Sequence, residues 1–358
     1  MGKMIINILS IITLAILLRW ISSDIMIEKI KKKHFIYCVI LTMIITVAEL
    51  GCSLTDNSIP ENRWLSIFFN LIGFSLTPFV FLAESNFYHS EKNILYYVPP
   101  IINLMMTIAS PYFGWIFFVA EDCSYHRGRF FVVYLIIFLY SVIFSLGKKL
   151  HASRNYPVYF RKRIIESGIV MFIGIMIQVV FPQYHTTWMM IAFHLVLYYA
   201  LSCEMSSLMD GLTGLLNRAA FNKEMEHLKL STKRTTVLFM IDINDFKDIN
   251  DAKGHTFGDY YLKEIGKILE MVFSFNAQIF RFGGDEFSVI LSMKPDDSMD
   301  YAGKLDSIIK SRQIEDADFP DVAVGYSIFE ADINAWDTIN LADNNMYKNK
   351  RTKENRNL

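Results

Sequence analysis

The stretch that decides the fold of the second half of the chain is "IFRFGGDEFSVIL", Ile279 to Leu291. Runs rich in β-branched and aromatic residues flank Gly283 and Gly284, a pattern that predicts a β-hairpin. We expect a two-residue turn in which both glycines adopt positive φ, because glycine does so without steric cost. The missing side chains would also let a ligand approach the backbone, with Asp285 standing at the hairpin tip.

Composition divides the 358 residues into two halves. The hydrophobic share of 53% is high for a soluble enzyme and indicates a membrane part. Before Glu204, 16 Lys and Arg against 10 Asp and Glu give about +6, and from Glu204 onward 19 against 26 give about −7. The acidic second half therefore excludes nucleic acid as a partner bound through overall charge.

Seven stretches of the first half have the length and apolarity of membrane-spanning helices. The basic loops "EKIKKKH" and "KKLHASRNYPVYFRKR" follow the first and fifth of them. Because Lys and Arg collect on the cytoplasmic side, this asymmetry predicts an external N-terminus and a cytoplasmic second half. A cleaved signal peptide is the alternative for the first stretch, although its basic charge follows the apolar run. The predicted spans are Met4–Ile21, His34–Leu54, Trp64–Ala83, Ile94–Ser110, Phe130–Gly147, Ile164–Phe181 and Trp188–Cys203.

Polar residues and cysteines within this half leave alternatives open. Glu49, Asn70, Asn103 and Gln178 could line a ligand cavity or form hydrogen bonds between helices. All four cysteines precede Glu204, which suits a second half in a reducing cytosol. Cys52 and Cys123 are both predicted near the outer face, either as a disulfide or as two free thiols.

The second half alternates helices and strands, which predicts an α+β sheet with a central hairpin. The strands are "TTVLFMIDI", "QIFRF", "EFSVILS" and "VAVGYSIF", and the helices are "NRAAFNKEMEHLKL", "DYYLKEIGKILEMVF", "SMDYAGKLDSIIKS" and "INLADNNMYKNK". We therefore divide the chain into an all-α seven-helix transmembrane bundle (1–203), a short linker (204–209) and an α+β domain (210–358).

Charged side chains gather where two of these strands end. Asp242 closes "FMIDIN" and Asp285 stands at the hairpin tip, so two carboxylates at adjacent strand ends form a site for a hard cation such as Mg²⁺. The following "DFKDINDAKGHTFGD" supplies Lys247, a point charge for a phosphate, together with Asn250 and Asp259, which suit the edge of guanine. A polar surface turn is the alternative for "GGDE" taken alone.

These residues carry a resemblance: the second half resembles a GGDEF domain, the palm-like nucleotidyl cyclase domain of bacterial diguanylate cyclases. The motifs in order are "DGLTGLLNR", "IDINDFKDINDAKGHTFGD", "RFGGDEF" and "ADNNMYKNK". The resemblance implies Mg²⁺, with Mn²⁺ an alternative, on Asp242, the Ile243 carbonyl and Asp285. It also implies catalytic roles for Asp285, Glu286 and Lys247 and GTP-binding roles for Asn250, Asp259, Gly283, Gly284 and Lys350, with Arg281 a weaker candidate.

The implied reaction condenses two GTP into cyclic di-GMP and two pyrophosphates. Each domain holds one GTP, so the active site implies a homodimer. A signalling-inactive GGDEF domain that only binds GTP or a partner is the alternative, although such domains often lose the acidic signature that is intact here.

The first half resembles the seven-transmembrane sensor region of some histidine kinases. The motifs that carry this likeness are "SLTPFVFLAESNFY", "YYVPPIINLMMTIASPYFGWIFF" and "YFRKR". The resemblance implies a multi-pass protein of the bacterial inner membrane whose bundle senses a ligand that the sequence does not identify. Movement of the last span would then control the cyclase.

The sequence departs from the family pattern in three places. Asn244 replaces a frequent aspartate after the metal strand. Glu354 stands where an arginine is expected, with Arg356 two residues later. Ser274 and Ala277 replace the arginine and aspartate of the product-binding motif, so strong product inhibition through that site is not expected.

The loop charges yield a testable topology. A reporter fused after Lys149 or at Leu358 is expected in the cytoplasm, and one inserted near Asn57 outside, because the basic loops stay on the inner side. Paired phosphatase and fluorescent-protein fusions measure this directly. An external C-terminus would contradict the seven-span topology.

Overall fold

The computed structural model describes residues 2–24, 29–56, 58–86, 94–153, 158–181, 184–227, 235–273, 277–293, 300–329 and 335–354. These residues form two compact units, one ending at Ser206 and the other starting at Ser207. Each unit has its own buried apolar core.

The first unit contains seven helices that are long and apolar enough to cross a membrane, in the part of the chain that the structure describes. Large apolar side chains also cover their outer surfaces, for example Ile136 at 61% and Ile143 at 68% exposure, as expected of helices that face lipid. The seven predicted helices are confirmed. They are α1 (Gly2–Ser23), α2 (Lys29–Thr55), α3 (Arg63–Ser85), α4 (Val98–Phe113), α5 (Phe131–Ala152), α6 (Val158–Val180) and α7 (Thr187–Ser207).

Between α4 and α5 the chain forms a small antiparallel hairpin of β1 (Phe117–Val119) and β2 (Tyr125–Arg127). The sequence did not predict these two strands. Phe117 is fully buried and stacks on Phe74 of α3, with ring centres 5.5 Å apart. Arg63 Nε donates to the Val119 carbonyl at 3.1 Å, so the hairpin contacts α3 at its first residue and near its middle. Cys123 is a free thiol in its turn, and Cys52 is also unpaired.

A buried cluster of charged side chains joins α3, α5 and α7. The side chains of Glu84, Lys149 and His194 are each at most 3% exposed. Lys149 Nζ forms an ion pair with Glu84 Oε1, and His194 Nε2 lies 2.9 Å from the same oxygen. Ser145 Oγ donates to Glu84 Oε2 at 2.9 Å, and Lys149 Nζ lies 4.6 Å from the centre of the Tyr198 ring. The Glu84 carboxylate of α3 is therefore the shared partner of side chains from α5 and α7.

The second unit is a five-stranded sheet with helices on both faces, in the strand order β3-β5-β6-β4-β7. β3 runs parallel to β5, and the other neighbouring pairs are antiparallel. This confirms the predicted α+β architecture, while the short strand β3 and the helix α9 had not been predicted. The elements are β3 (Leu216–Asn217), α8 (Arg218–His227), β4 (Thr235–Ile243), α9 (Phe246–Lys253), α10 (His255–Val272), β5 (Ala277–Arg281), β6 (Glu286–Met293), α11 (Tyr301–Glu315), β7 (Val322–Ile328) and α12 (Ala335–Glu354).

Strand β4 is buried on both faces because it lies inside the sheet between helices. Its odd-numbered residues, such as Phe239 and Ile241, pack into the main core with α10 and α11. Since side chains alternate along a strand, Asp242 lies on the opposite face. There α12 packs so closely on β7 that a side chain at Gly325 would collide with the α12 backbone. The alternation therefore turns Asp242 towards α12.

The charged cluster of the first unit generates a stability prediction. Lys149→Met removes the ammonium partner of the buried Glu84 charge, so we expect a loss of about 3–5 kcal/mol in unfolding free energy. Denaturant unfolding of the full chain in detergent measures it. Lys148→Met is the matched control, and the Glu84→Gln/Lys149→Met pair should lose less than Lys149→Met alone. Equal losses at residues 148 and 149 would contradict the prediction.

Candidate active site

The pairing of β4 with β6 sets the geometry of the site. Eight residue pairs run from Thr235 opposite Met293 to Asp242 opposite Glu286. Beyond the last pair, the Ile243 N–H donates to the Asp285 carbonyl at 3.3 Å. The end of β4 and the start of β6 thus bring Asp242, Asp285 and Glu286 to one sheet edge, as the sequence predicted for the first two.

The hairpin turn differs from the prediction. It contains four residues, Phe282 to Asp285, and the N–H groups of Phe282 and Gly283 both donate to the Glu286 carbonyl, at 2.8 and 3.1 Å. Neither Gly283 nor Gly284 has positive φ, so the expected two-residue turn with left-handed glycines is wrong. A four-residue loop closes the hairpin without left-handed residues, because the extra residues share the reversal of direction.

The two glycines have different steric surroundings. A Cβ on Gly283 would collide with the carboxylate of Glu286, so the absent side chain is what lets that carboxylate fold over the turn. A Cβ on Gly284 would meet no atom within 4 Å. Gly284 therefore borders open space at the hairpin tip, which leaves its backbone accessible.

Lys350 of α12 reaches the same edge from the α12 side of the sheet, the side towards which Asp242 turns. Its Nζ lies 2.5 Å from Asp242 Oδ1. Burial by itself lowers the pKa of Lys350, but the hydrogen bond and charge of Asp242, with the charge of Asp285, outweigh burial and raise it. Lys350 is therefore a fixed cation beside the strand ends.

The carboxyl groups of Asp285 and Glu286 are electrostatically crowded. Burial raises the pKa of Asp285, and the charge of Asp242 raises it further. Burial also raises the pKa of Glu286, with Asp242, Asp285 and Asp343 adding to the shift. The site thus concentrates negative charge that a bound cation would relieve.

The donor set fits a hard divalent cation that also uses substrate oxygens. Among the described residues no group of three His, Cys, Asp or Glu side chains is arranged to hold a metal ion. Asp242 and Asp285 supply two carboxylates, and Ile243 supplies main-chain oxygen. Mg²⁺ typically takes one or two carboxylates and completes its shell with phosphate and water, so the residues suit it.

Arg281 has a structural position that the sequence did not reveal. Its Nη2 donates to the Gly284 carbonyl at 2.7 Å, and its Nη1 lies 3.1 Å from Asp210 Oδ1. Asp210 also accepts from the Thr213 N–H at 2.8 Å, and although burial opposes it, these bonds lower the pKa of Asp210. Arg281 thereby ties the "DGLTG" turn to the hairpin tip and holds the Gly284 carbonyl.

Helices α9 and α10 form the neighbouring wall. Asp245 begins α9 in the left-handed region at φ 54°, and Gly254 at φ 84° separates the two helices. The Asn250 side chain lies directly against Gly258, where a Cβ would collide with Asn250 Oδ1. Asp259 follows Gly258 and is exposed. The structure thus brings the predicted guanine-reading residues to the same helix junction.

Lys247 is exposed on α9, one turn before Asn250. The position is open to solvent and accessible to an anion. Its predicted contact with a phosphate remains a prediction.

The residues that depart from the family pattern lie in different parts of the second unit. The Asn244 N–H donates to the Asp321 carbonyl at 2.9 Å, and its side chain also lies against Asp321, which is bonded to Lys353 at 3.0 Å. Asn244 therefore links the end of β4 to Asp321, the residue that precedes β7. Ala277 opens β5 opposite Leu291, and Glu354 ends α12. Ser274 and Arg356 lie outside the described residues.

Comparison with known proteins identifies the second unit. Residues 207–356 match the family described as diguanylate cyclase, GGDEF domain, so this part of the chain is a GGDEF domain. Diguanylate cyclase DgcS of Shewanella oneidensis is 32% identical over 159 residues, which cover 42% of this chain and 52% of that protein. Diguanylate cyclase DosC of Escherichia coli is 32% identical over 157 residues, covering 41% of this chain and 34% of DosC.

A similar solved structure is the coiled coil and GGDEF domain of DgcB from Caulobacter crescentus in complex with c-di-GMP. It is 24% identical, covers 44% of this chain and 87% of that one, and has a TM-score of 0.40. The chain spans about half of the length of DgcS and about a third of DosC.

The crowded carboxylates generate a pH prediction. The pKa of Glu286 is raised in the folded state, which means that folding favours its protonated form. The contribution of protonated Glu286 to the free energy of unfolding is therefore present at low pH and is lost as the pH rises through the raised pKa. Glu286→Gln should therefore raise the thermal midpoint by about 2–4 °C near pH 8 in the presence of a chelator. The gain should shrink towards about pH 5.

Thermal unfolding of the full chain in detergent measures this difference, with the exposed Glu270→Gln on α10 as control. A gain that stays constant across the pH range would contradict the prediction.

Proposed function

We propose that this chain is a membrane-bound diguanylate cyclase that condenses two GTP molecules into cyclic di-GMP and two pyrophosphates. The observation that carries the proposal is the sheet edge where Asp242 of β4 and Asp285 of the hairpin tip meet beside Lys350. A nucleotidyl cyclase needs acidic residues at this position to bind its metal ion, whereas a purely structural turn does not need them. The membership of residues 207–356 in the GGDEF family supports the same reaction.

The metal-binding residues of the proposed site are Asp242, Asp285 and the carbonyl of Ile243. When bound, Mg²⁺ or Mn²⁺ would neutralise the charge of the triphosphate and favour its orientation for in-line attack. Lys350 and Lys247 contribute fixed positive charge towards the phosphates. Burial, with the charges of Asp242 and Asp285, raises the pKa of Glu286. Its carboxylate lies against Gly283, where it supports the metal-binding edge.

Guanine is selected at the junction of α9 and α10. The Asn250 amide both donates and accepts hydrogen bonds, and the exposed Asp259 carboxylate accepts from N1–H and the exocyclic amine of guanine. Adenine lacks this donor pair, so the same carboxylate disfavours ATP. The open space beside Gly284 leaves room for the nucleotide to approach the hairpin backbone.

In the reaction, the 3′-hydroxyl oxygen of one GTP attacks the α-phosphorus of another. A new P–O bond forms, the P–O bond to the β-phosphate breaks, and pyrophosphate leaves with the electron pair. Asp285 accepts the hydroxyl proton, a task for which its raised pKa suits it. Repetition in the opposite direction closes the ring, so two copies of the domain must face each other as a homodimer.

The bundle places this chemistry at a membrane. Seven apolar helices suggest a membrane protein, and we propose a bacterial inner-membrane location with the N-terminus outside and the GGDEF domain in the cytoplasm. The bundle would then regulate the cyclase by changing the arrangement of two catalytic domains when it senses a signal.

Asp285→Ala tests the catalytic assignment. It removes a carboxylate from a half-buried edge without opening a core cavity, so cyclic di-GMP formation should fall by at least about a hundredfold while the thermal midpoint is kept. Chromatography of the products of purified full-length protein with GTP and Mg²⁺ measures the rate. Asp337→Ala, about 20 Å along α12 from Lys350, is the matched control.

The same assay separates the two candidate functions. Wild-type protein that binds GTP but forms no cyclic di-GMP, in every metal and detergent condition that keeps it dimeric, would favour the signalling-inactive receptor. Substantial activity in Asp285→Ala would reject the site assignment.

Asp259→Ala tests guanine selection. Without the carboxylate, the donors of guanine lose their acceptor, so the preference for GTP over ATP in competition binding should fall about tenfold or more. Asp251→Ala, an exposed carboxylate on α9, is the control. An unchanged GTP-to-ATP ratio would count against the assignment.

A further inference from the structure

The first unit contains an open cavity of about 420 Å³ that the proposed cyclase reaction does not use. Residues of α1, α2, α3, α5, α6, α7 and strand β2 line it. The volume lies in the range of small-molecule sites in proteins, which are mostly apolar with a few oriented polar groups. The lining of this cavity contains both apolar side chains and polar groups.

One wall is acidic and comes from the end of α2. Glu49 and Ser53, four residues apart, project to the same side of the helix, and Asp56 directly follows the helix and lines the same cavity. The Glu49 carboxylate is oriented by two partners: His185 Nδ1 lies 2.7 Å from its Oε1, and Gln178 Nε2 donates to it at 3.2 Å. Gln178 Oε1 in turn accepts from the Thr187 N–H at 2.9 Å, so the acidic wall is held in place by α6 and α7.

A second wall is cationic. Arg127 of β2 and Lys3 of α1 line the same cavity. The Arg127 guanidinium lies 4.8 Å from the centre of the Phe131 ring. Within the described residues, neither cation has a carboxylate at ion-pair distance. The guanidinium therefore keeps its donors available for a planar anion, and a carboxylate matches its fork geometry.

Aromatic side chains form a third part of the lining. Phe74 packs edge-on against Tyr134 at 4.8 Å between ring centres and stacks on Tyr125 at 6.1 Å. Phe69, Phe138 and Trp188 complete this part of the lining. An apolar or aromatic body would lose its hydration here and gain dispersion and ring contacts.

The geometry points to a small zwitterion with an apolar body, of the chemical class of the hydrophobic α-amino acids. Its ammonium group would face Glu49 and Asp56, its carboxylate would face Arg127, and its side chain would lie among the rings. A purely anionic ligand would bring its charge close to two carboxylates, and a purely cationic one close to Arg127 and Lys3. A ligand that carries both charges places its ammonium group at the acidic wall and its carboxylate at the cationic wall.

Binding at this site stands independently of the cyclase, while its use as the regulatory signal rests on the proposed function. The experiment therefore measures binding alone, by calorimetry on the full-length Asp285→Ala protein in detergent. The probes are L-phenylalanine and L-tryptophan. Each is compared with its amine, 2-phenylethylamine or tryptamine, and with its acid, 3-phenylpropionate or indole-3-propionate, which keep the same ring.

At least one of the two amino acids should bind at least about tenfold more tightly than both of its single-charge analogues. Equal or tighter binding of the amine or the acid would overturn the zwitterion assignment. Failure of both amino acids to bind at millimolar concentration would overturn the site. If the amino acid binds but does not change cyclic di-GMP formation by the wild-type protein, that result would instead count against regulation by the bundle.

Charge variants supply a crossed test with matched controls. Glu49→Gln should weaken the amino acid and the amine about tenfold or more and leave the acid unchanged, and Arg127→Gln should weaken the amino acid and the acid but not the amine. Glu121→Gln and Arg129→Gln, exposed residues outside the lining, should leave all three unchanged. Asp56→Asn replaces Glu49→Gln should that variant fail to fold. Variants that weaken all probes alike would overturn the proposed orientation.

Discussion

The antiparallel register between β4 and β6 is the constraint on which the second unit depends. With Asp242 opposite Glu286, the odd-numbered residues of β4 enter the core and Asp242 turns towards α12. A slip of one residue would bury Asp242 among leucines and phenylalanines and expose the core residues instead. The hydrophobic pattern of β4 therefore fixes the position of the carboxylates, because a shifted register would also remove the apolar side chains from the core.

That register also forces like charges together. Asp242, Asp285 and Glu286 share one edge, and Lys350 is the cation placed among them. Such an arrangement contributes little to folding and is maintained by the surrounding sheet, as expected of a site kept for binding. The first unit treats its charges differently, since Glu84 is matched by Lys149, His194 and Ser145 in the interior.

Much of this architecture could be predicted from residue pattern. Long apolar runs identified the seven helices, and the buried run "TTVLFMIDI" matched β4 residue for residue. The turn at Gly283 and Gly284 could not be predicted, because the loop length depends on where the ladder ends and that is set by hydrogen bonds to the Glu286 carbonyl. The bond between Arg281 and Asp210 joins residues 71 positions apart, and periodicity carries no signal for such pairs. The hairpin of β1 and β2 was missed because its strands are only three residues long.

The buried cluster on α3, α5 and α7 has a consequence for how the bundle can vary. A carboxylate, an ammonium group and an imidazole that share protons and charge in a low-dielectric interior cannot be exchanged one at a time, since each single change leaves an uncompensated group. The effects of substitutions at residues 84, 149 and 194 on stability are therefore coupled. A bundle of this type can lose the cluster only if all three residues change together. Three positions separated by 65 and 45 residues in the chain behave, under mutation, as a single site.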